Sequence, residues 1–316
     1  LAIAAVPEGL AAVVTISLAL GMREMVRRHA LIRRLASVET LGSATVICSD
    51  KTGTLTQNVM TVTRLWVDGK LAEVTGTGYD PQGDFLVDGR QVDLQKMPGL
   101  TTALWVGALN NDAVLEPVEE EGPNAYKMIG DPTEGAMLVA MVKAWPDYAE
   151  LSQAYPRHKE IPFDSALKRM TTVHRITWIK EHGPSPFKDQ SKLGHHALTV
   201  KGAPDLVLQL CTHYQTIDDE VQPLTDAMRN AIVTANDAMT SDALRVIGFA
   251  YRIEEEIPAE LTREYAEQGL IFAGLQGMID PARPEVKPAL EKARGAGLRT
   301  IMITGDYPNT GAAVAK

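Results

Sequence analysis

The sequence predicts an α/β protein: a parallel sheet interrupted by a large inserted α+β domain and preceded by one apolar helix. Three observations carry this expectation. Two apolar, β-rich runs each end in an acidic loop, Val46-Ile47-Cys48-Ser49-Asp50 near the start and Thr300-Ile301-Met302-Ile303-Thr304-Gly305-Asp306 near the end. Ligand sites of open parallel sheets lie beyond the carboxyl ends of their strands, so two such ends far apart in sequence point to one sheet split by an insertion. The first twenty residues, LAIAAVPEGLAAVVTISLAL, are almost wholly apolar, about the length that crosses a bilayer core of ~30 Å.

The bulk numbers fit. The chain has 316 residues, enough for two domains at roughly 150 each. It is 45% hydrophobic and 22% charged, as in an ordinary folded protein, and with 5% aromatics its cores must be mostly aliphatic. A net charge of −9 argues against a nucleic-acid-binding face. Cys48 and Cys211 lie far apart, which excludes a disulfide framework and a CxxC metal site and suits a reducing compartment.

In chain order, the apolar run carries Pro7-Glu8-Gly9 in its middle and gives way to Arg23, Arg27, Arg28, Arg33 and Arg34 against a single Glu24. A basic cluster just past a membrane span marks its cytoplasmic side, so the rest of the chain is expected there. A cleaved signal peptide fits poorly, because no basic residues precede the run and no small-residue cleavage site follows it. The strand ending at Asp50 comes next. Residues 59–90 alternate short β-branched runs with Gly, Asp and Pro turns and read as hairpins. Helical apolar spacing recurs at 100–111 and 133–144. Residues 117–125 are a polar loop, 168–180 and 196–201 are strands, and 181–195 is a loop with two prolines. Residues 203–213 and 224–242 read as helices. Val246 to Tyr251 and Leu270 to Met278 read as strands. Pro284 to Ala296 reads as a helix and Leu298 to Ile303 as the strand that ends at Asp306.

The chemistry concentrates behind the first strand, in Asp50-Lys51-Thr52-Gly53-Thr54-Leu55-Thr56. A carboxylate on such a turn can act as a nucleophile and form an aspartyl-phosphate. What that chemistry needs is positioning and charge neutralisation, with a cation and Mg²⁺ near the transferred group. Lys51 and the Thr52 and Thr54 hydroxyls suit this, and Gly53 allows a backbone geometry other residues resist. An Asp-Lys pair alone would read as an ordinary strand-end turn; seven residues behind an apolar strand carry more. The string DKTGTLT resembles the phosphorylation signature of P-type cation-transporting ATPases, in the haloacid-dehalogenase-like class.

The resemblance runs through the chain in order. PEGL at 7–10 is similar to the unwound part of that family's fourth transmembrane helix, and SVETLG at 37–42 to the segment entering the phosphorylation domain. KGAPD at 201–205 resembles the nucleotide-domain KGAP motif, DPAR at 280–283 the DPPR hinge, and TGD at 304–306 its namesake. The family pattern implies a broken transmembrane helix over 1–22 and a stalk with the first part of the phosphorylation domain over 23–59. It implies a nucleotide-binding domain over 60–277 and a second, truncated part of the phosphorylation domain over 278–316. It implies that Glu8 and the carbonyls of Ile3, Ala4 and Val6 are ligands of the transported cation, in keeping with the cost of an ionisable group inside a membrane. Phe163 would stack on adenine. Lys201, Gly202, Lys168, Glu134 and Arg245 would line the ATP pocket. Asp280 and Arg283 would touch ribose or phosphate at the hinge. Thr304, Gly305 and Asp306 would close around phosphate and Mg²⁺ opposite Asp50, with Asp50 and Thr52 as Mg²⁺ ligands.

Departures from the pattern matter too. No GDGxNDxP string and no TGE-type loop occur here, and Ala11 follows PEGL where calcium pumps usually have proline. The expected whole is therefore a membrane pump whose actuator domain and other transmembrane helices are not in this sequence. A hard carboxylate with no cysteine in the helix disfavours soft metals and suits Ca²⁺, with Na⁺ or K⁺ as the alternative. Two other readings compete. A soluble phosphatase of the same fold would place a second aspartate where Thr52 stands. A non-catalytic nucleotide-binding protein is the reading if the gene ends near Lys316.

Overall fold

The computed structural model describes residues 9–118, 126–179 and 190–305. The chain divides into two compact units, one formed by the residues up to Leu55 together with Arg283–Thr304, the other centred on Thr56–Ala282.

In the first unit, helix α1 (Leu10–Arg27) starts directly after Gly9 and has no buried residue. Leu10, Val13, Ile16 and Leu20 are all more than half exposed. The sequence places the end of the apolar helix near residue 22. The helix instead continues through the first basic residues to Arg27, where Glu24 accepts from Arg28 at 3.0 Å, one turn apart. With Arg23, Glu24 and Arg27 in its last turns, no helix among the described residues is long and apolar enough to cross a membrane. The expected span draws on residues 1–8, which lie outside the described residues. Helix α2 (Ala36–Gly42) follows, then strand β1 (Val46–Asp50).

The two strands that end in acidic loops do pair. β1 runs parallel to β15 (Arg299–Ile303), with Asp50 opposite Ile303. Helix α9 (Val286–Gly295) leads into β15 through Gly297 at φ +79°. Among the described residues this parallel sheet has these two strands.

The second unit is a sandwich of helices on both faces of an 11-stranded, mostly antiparallel sheet. One flank is β2 (Thr61–Val67), β3 (Lys70–Val74), β4 (Phe85–Val87) and β5 (Arg90–Gln91), the expected hairpins. The other flank ends at β8 (Arg157–Asp164), with β9 (Arg169–Arg175) and β10 (His196–Gly202) inside it. In the centre lie β13 (Arg245–Glu254) and β14 (Leu270–Ile279). Early in its length β14 pairs in parallel with β11 (Cys211–Gln215), which also carries β12 (Val221–Pro223); later β14 pairs with β2. The hand-over falls at Gly274, φ +154°, where a Cβ would stand 2.7 Å from the Trp66 carbonyl oxygen. A separate hairpin joins β6 (Val114–Pro117) and β7 (Tyr126–Ile129).

Helices α3 (Pro98–Leu109) and α4 (Pro132–Ala144) bury nearly all their apolar residues on one face. Trp105 is fully buried there, edge-on to Tyr155 at 5.2 Å and Tyr251 at 6.3 Å. Short α5 (Ala149–Ala154) follows α4. The other face is covered by α6 (Pro204–Gln209) and α7 (Asp226–Ser241), whose Val207 and Ile232 meet Val200, Phe272 and Leu275. One expectation is corrected: residues 203–213 are not one helix, because α6 stops at Gln209 and Cys211–Gln215 is strand β11. A last short helix, α8 (Arg263–Ala266), lies in the connection from β13 to β14.

Candidate nucleotide site

Each part of the site has a local cause. Asp131 accepts from the Thr133 backbone N–H at 2.8 Å and Pro132 holds the first helical position, so α4 begins sharply, with Glu134 in its first turn. The β8–β9 turn closes on Asp164, which accepts from the Ala166 and Leu167 N–H groups at 2.8 and 3.1 Å; these bonds hold its carboxylate below the usual range. Lys168 completes the turn at φ +50°, and its carbonyl accepts from the Ala203 N–H at 3.0 Å. Gly202 lies against this turn: a Cβ there would stand 2.5 Å from the Lys168 carbonyl oxygen and 2.7 Å from the Arg169 Cβ.

These pieces surround a cavity of about 650 Å³, walled by the start of α4, the β8–β9 turn, the end of β10 and the start of β13. Six of the expected nucleotide contacts, Glu134, Phe163, Lys168, Lys201, Gly202 and Arg245, line it. They come from four separate stretches of chain. The volume is within the range that holds a compact organic ligand. Phe163 is 59% exposed, unusual for a phenylalanine, and offers a free ring face.

Lys201 is only 6% exposed. It donates to the Asn110 carbonyl at 2.7 Å and to the Glu134 carboxylate. Burial pushes its ammonium below the ordinary lysine range, and Glu134 pushes back. Glu134 in turn accepts from the Asp112 N–H at 3.1 Å, and Arg245 donates to the Thr133 hydroxyl at 2.8 Å. Lys168, Lys201 and Arg245 thus face Asp131 and Glu134 around one cavity. Such a site suits an anion with an apolar, planar part. Sequence reasoning missed Asp131, Thr133 and the Asn110–Asp112 loop; the Asp-Pro-Thr string is a helix-start signal that would have pointed to the first two.

Asp280 and Arg283 do not line this cavity. Asp280 accepts from the Thr56 hydroxyl at 2.5 Å and from the Val59 N–H at 3.2 Å. Both of its oxygens therefore hold the chain at the start of the second unit. Arg283 donates to the Gly53 carbonyl at 3.1 Å and its N–H to the Leu55 carbonyl at 2.9 Å, bracing the turn after Asp50. In that turn Asp50, Thr52 and Thr54 are exposed, Lys51 is buried, and Gly53 sits at φ +74°. Thr304, half-buried, directly follows Ile303. Gly305 is exposed. Asp306, Glu8, Ile3, Ala4 and Val6 lie outside the described residues. Among the described residues no group of three or more His, Cys, Asp or Glu is placed to hold a metal ion.

The family model for "P-type ATPase, cytoplasmic domain N" matches residues 99–285, which include every residue named around the cavity. The chain is 39% identical over 318 residues to a calcium-transporting ATPase of Bacillus subtilis (strain 168), covering 100% of this chain and 33% of that protein. It is 41% identical over 321 residues to a cation-transporting ATPase of Synechocystis sp., again covering 100% and 33%. It is 38% identical over 318 residues to a probable cation-transporting ATPase of Mycobacterium tuberculosis (strain ATCC 25618 / H37Rv), covering 100% and 32%. The chain spans about a third of the length of these curated relatives.

Proposed function

This chain belongs to the P-type ATPases, and from that premise we propose that it binds ATP in the cavity of the second unit and accepts the γ-phosphate on Asp50. The observation that carries the reading is the convergence of Glu134, Phe163, Lys168, Lys201, Gly202 and Arg245 on one cavity. Phe163 stacks on the adenine, and Lys201, Lys168 and Arg245 take the negative charge of the phosphates. Asp50 is exposed and follows a strand end, as an attacking carboxylate must be. Arg283 and Gly53 hold the backbone of its turn.

Mg²⁺ fits this arrangement in one respect. It is usually held by one or two carboxylates together with substrate phosphates and water, and Asp50, exposed at the end of β1, offers one such carboxylate. Asp50 and Thr52 would hold it, and Asp306 would join them. When bound, it neutralises phosphate charge. Lys51 and the Thr52 and Thr54 hydroxyls surround the phosphoryl group that Asp50 receives. Thr304 and Gly305 close the loop beside β1.

In the whole pump the phosphoenzyme drives a cation across a membrane, and Ca²⁺ is the ion we favour, as in the calcium-transporting relatives. The first part of the chain is the membrane segment. Glu8 and the carbonyls of Ile3, Ala4 and Val6 bind the cation there. Residues after about 23 face the cytoplasm, with the first unit forming part of a haloacid-dehalogenase-like domain. The actuator domain and further transmembrane helices are its partners.

The test is phosphorylation of the full-length protein with radiolabelled ATP. Asp50→Asn abolishes hydroxylamine-labile label and leaves ATP binding intact; full labelling of that variant would falsify the assignment. Activation of ATPase activity by micromolar Ca²⁺, lost in Glu8→Gln, is the expected ion response. Activation by Na⁺ or K⁺ alone moves the protein to the monovalent-cation reading.

A further inference from the structure

On its Phe163 side, the turn that leads to Lys168 is weakly held by the sheet itself. Among the described residues β8 is an edge strand that pairs with β9 on one side. Its ladder skips from Ile161, opposite Thr171, to Asp164, opposite Arg169, so Pro162 and Phe163 have no partners in the ladder. A proline and a bulge at an edge are compatible with a strand but leave it free to shift.

The connection from β13 to β14 supplies what the ladder lacks. It packs Ile257, Leu261, Tyr265 and Ala266 against Ile161, Val173 and Leu198. Lys159 donates to the Pro258 carbonyl at 2.8 Å. At its far end Glu267, buried, gathers three partners: Arg169 at 2.7 Å, Arg263 at 2.8 Å and the Thr171 hydroxyl at 3.2 Å. Arg263 then reaches forward to the turn itself, with one nitrogen 3.5 Å from the Pro162 carbonyl and 3.7 Å from Asp164 Oδ2. A buried carboxylate left with no positive partner is strongly disfavoured, so Glu267 keeps its arginines close and fixes geometry more firmly than a surface pair does.

We propose that this connection is a strut for the nucleotide site, with Glu267 and Arg263 as positioning residues that set the turn bearing Phe163 and Lys168. The inference rests on the reading of the cavity as an ATP site. Neither residue lines the cavity, so their effect on affinity passes through the turn.

The experiment is calorimetric titration of the whole chain with ATP. Arg263→Ala leaves Glu267 its Arg169 and Thr171 partners, so the buried carboxylate stays compensated. We expect binding about fivefold weaker, an ordinary size for coupling between contacting residues, with an unchanged melting temperature. On a Phe163→Ala, Lys168→Ala background the same substitution changes affinity by less than twofold, because the groups it positions are gone. Arg263→Lys restores part of the loss. If Arg263→Ala fails to fold, Glu267→Gln, which keeps shape and a bond to Thr171, replaces it in the same cycle. Unchanged affinity, or an equal fivefold loss on the doubly substituted background, overturns the strut. Absence of ATP binding by the unsubstituted chain overturns the cavity's assignment instead.

Discussion

Lys201 is where burial and charge meet most closely in this molecule. Its ammonium is almost wholly removed from water, donates to the Asn110 carbonyl and Glu134, and Glu134 opposes the lowering that burial imposes on it. Glu134→Gln removes the neighbour that raises its proton affinity and leaves the burial that lowers it. As pH is raised, ATP affinity in that variant is therefore expected to decline sooner than in the unsubstituted chain. A titration with parallel pH profiles would count against Lys201 as a phosphate contact. At Phe163 the expected loss is in the base: Phe163→Ala weakens ATP by about 5- to 150-fold, as stacking energies of about 1–3 kcal/mol per base imply, and weakens adenosine by the same factor. His174 governs a different property. It is buried between the Tyr155 carbonyl and the Thr172 hydroxyl, and burial lowers its pKa from 6.5 to about 4. A histidine depressed in the folded state binds fewer protons folded than unfolded, so its contribution is complete above pH 6.5. It is lost as pH falls from 6.5 towards 4, to a limit of about 3 kcal/mol. Urea titrations at pH 7.5 and 5 should differ accordingly, and His174→Gln should flatten the difference.

At the scale of elements, the Lys168 side of the β8–β9 turn and the end of β10 are packed against each other without slack. Gly202→Ala puts a methyl 2.5 Å from the Lys168 carbonyl oxygen, so one of the two must move. The expected cost is about 1–3 kcal/mol in a urea titration, as for other overpacked sites, together with weaker ATP binding because Lys168 shifts. Elements like β10 are legible because the short run Ala197-Leu198-Thr199-Val200 is bounded by turn signals; in the fold six consecutive residues, Ala197 to Gly202, are buried there. The turn after Asp50 was equally legible from its glycine and hydroxyl residues. β8 was not: Arg157-His158-Lys159-Glu160 is polar and Pro162 argues against a strand, yet at a sheet edge both are tolerated. The start of β11 reads as the end of a helix because the apolar run Leu206-Val207-Leu208-Gln209-Leu210-Cys211 leads into it with no break signal, and only the pairing with β14 decides. The cavity residues came from resemblance to a family. Local pattern could not have given them, since their meeting depends on sheet register between stretches far apart in sequence.

At the scale of the molecule, every residue lining the cavity lies within Thr56–Ala282, and the chain enters and leaves that unit at adjacent points. Thr56 bridges Ala282, the Gln57 N–H donates to the Pro281 carbonyl at 3.0 Å, and Asp280 holds the Thr56 hydroxyl. The unit thus closes on itself, with its own helices on both sheet faces and its ends tied together, which are the properties of a piece that folds alone. Residues 56–282 expressed by themselves should therefore fold cooperatively and bind ATP with an affinity within about threefold of the whole chain, a tolerance set by the usual additivity of distant sites. Asp280→Ala removes the tie between the ends. Because both carboxylate oxygens are used there rather than in the cavity, it should lower the urea midpoint of the excised unit while leaving ATP affinity nearly unchanged. A large loss of affinity at unchanged stability would show instead that Asp280 reaches the nucleotide. An excised unit that does not fold would show that the cavity depends on the residues flanking it.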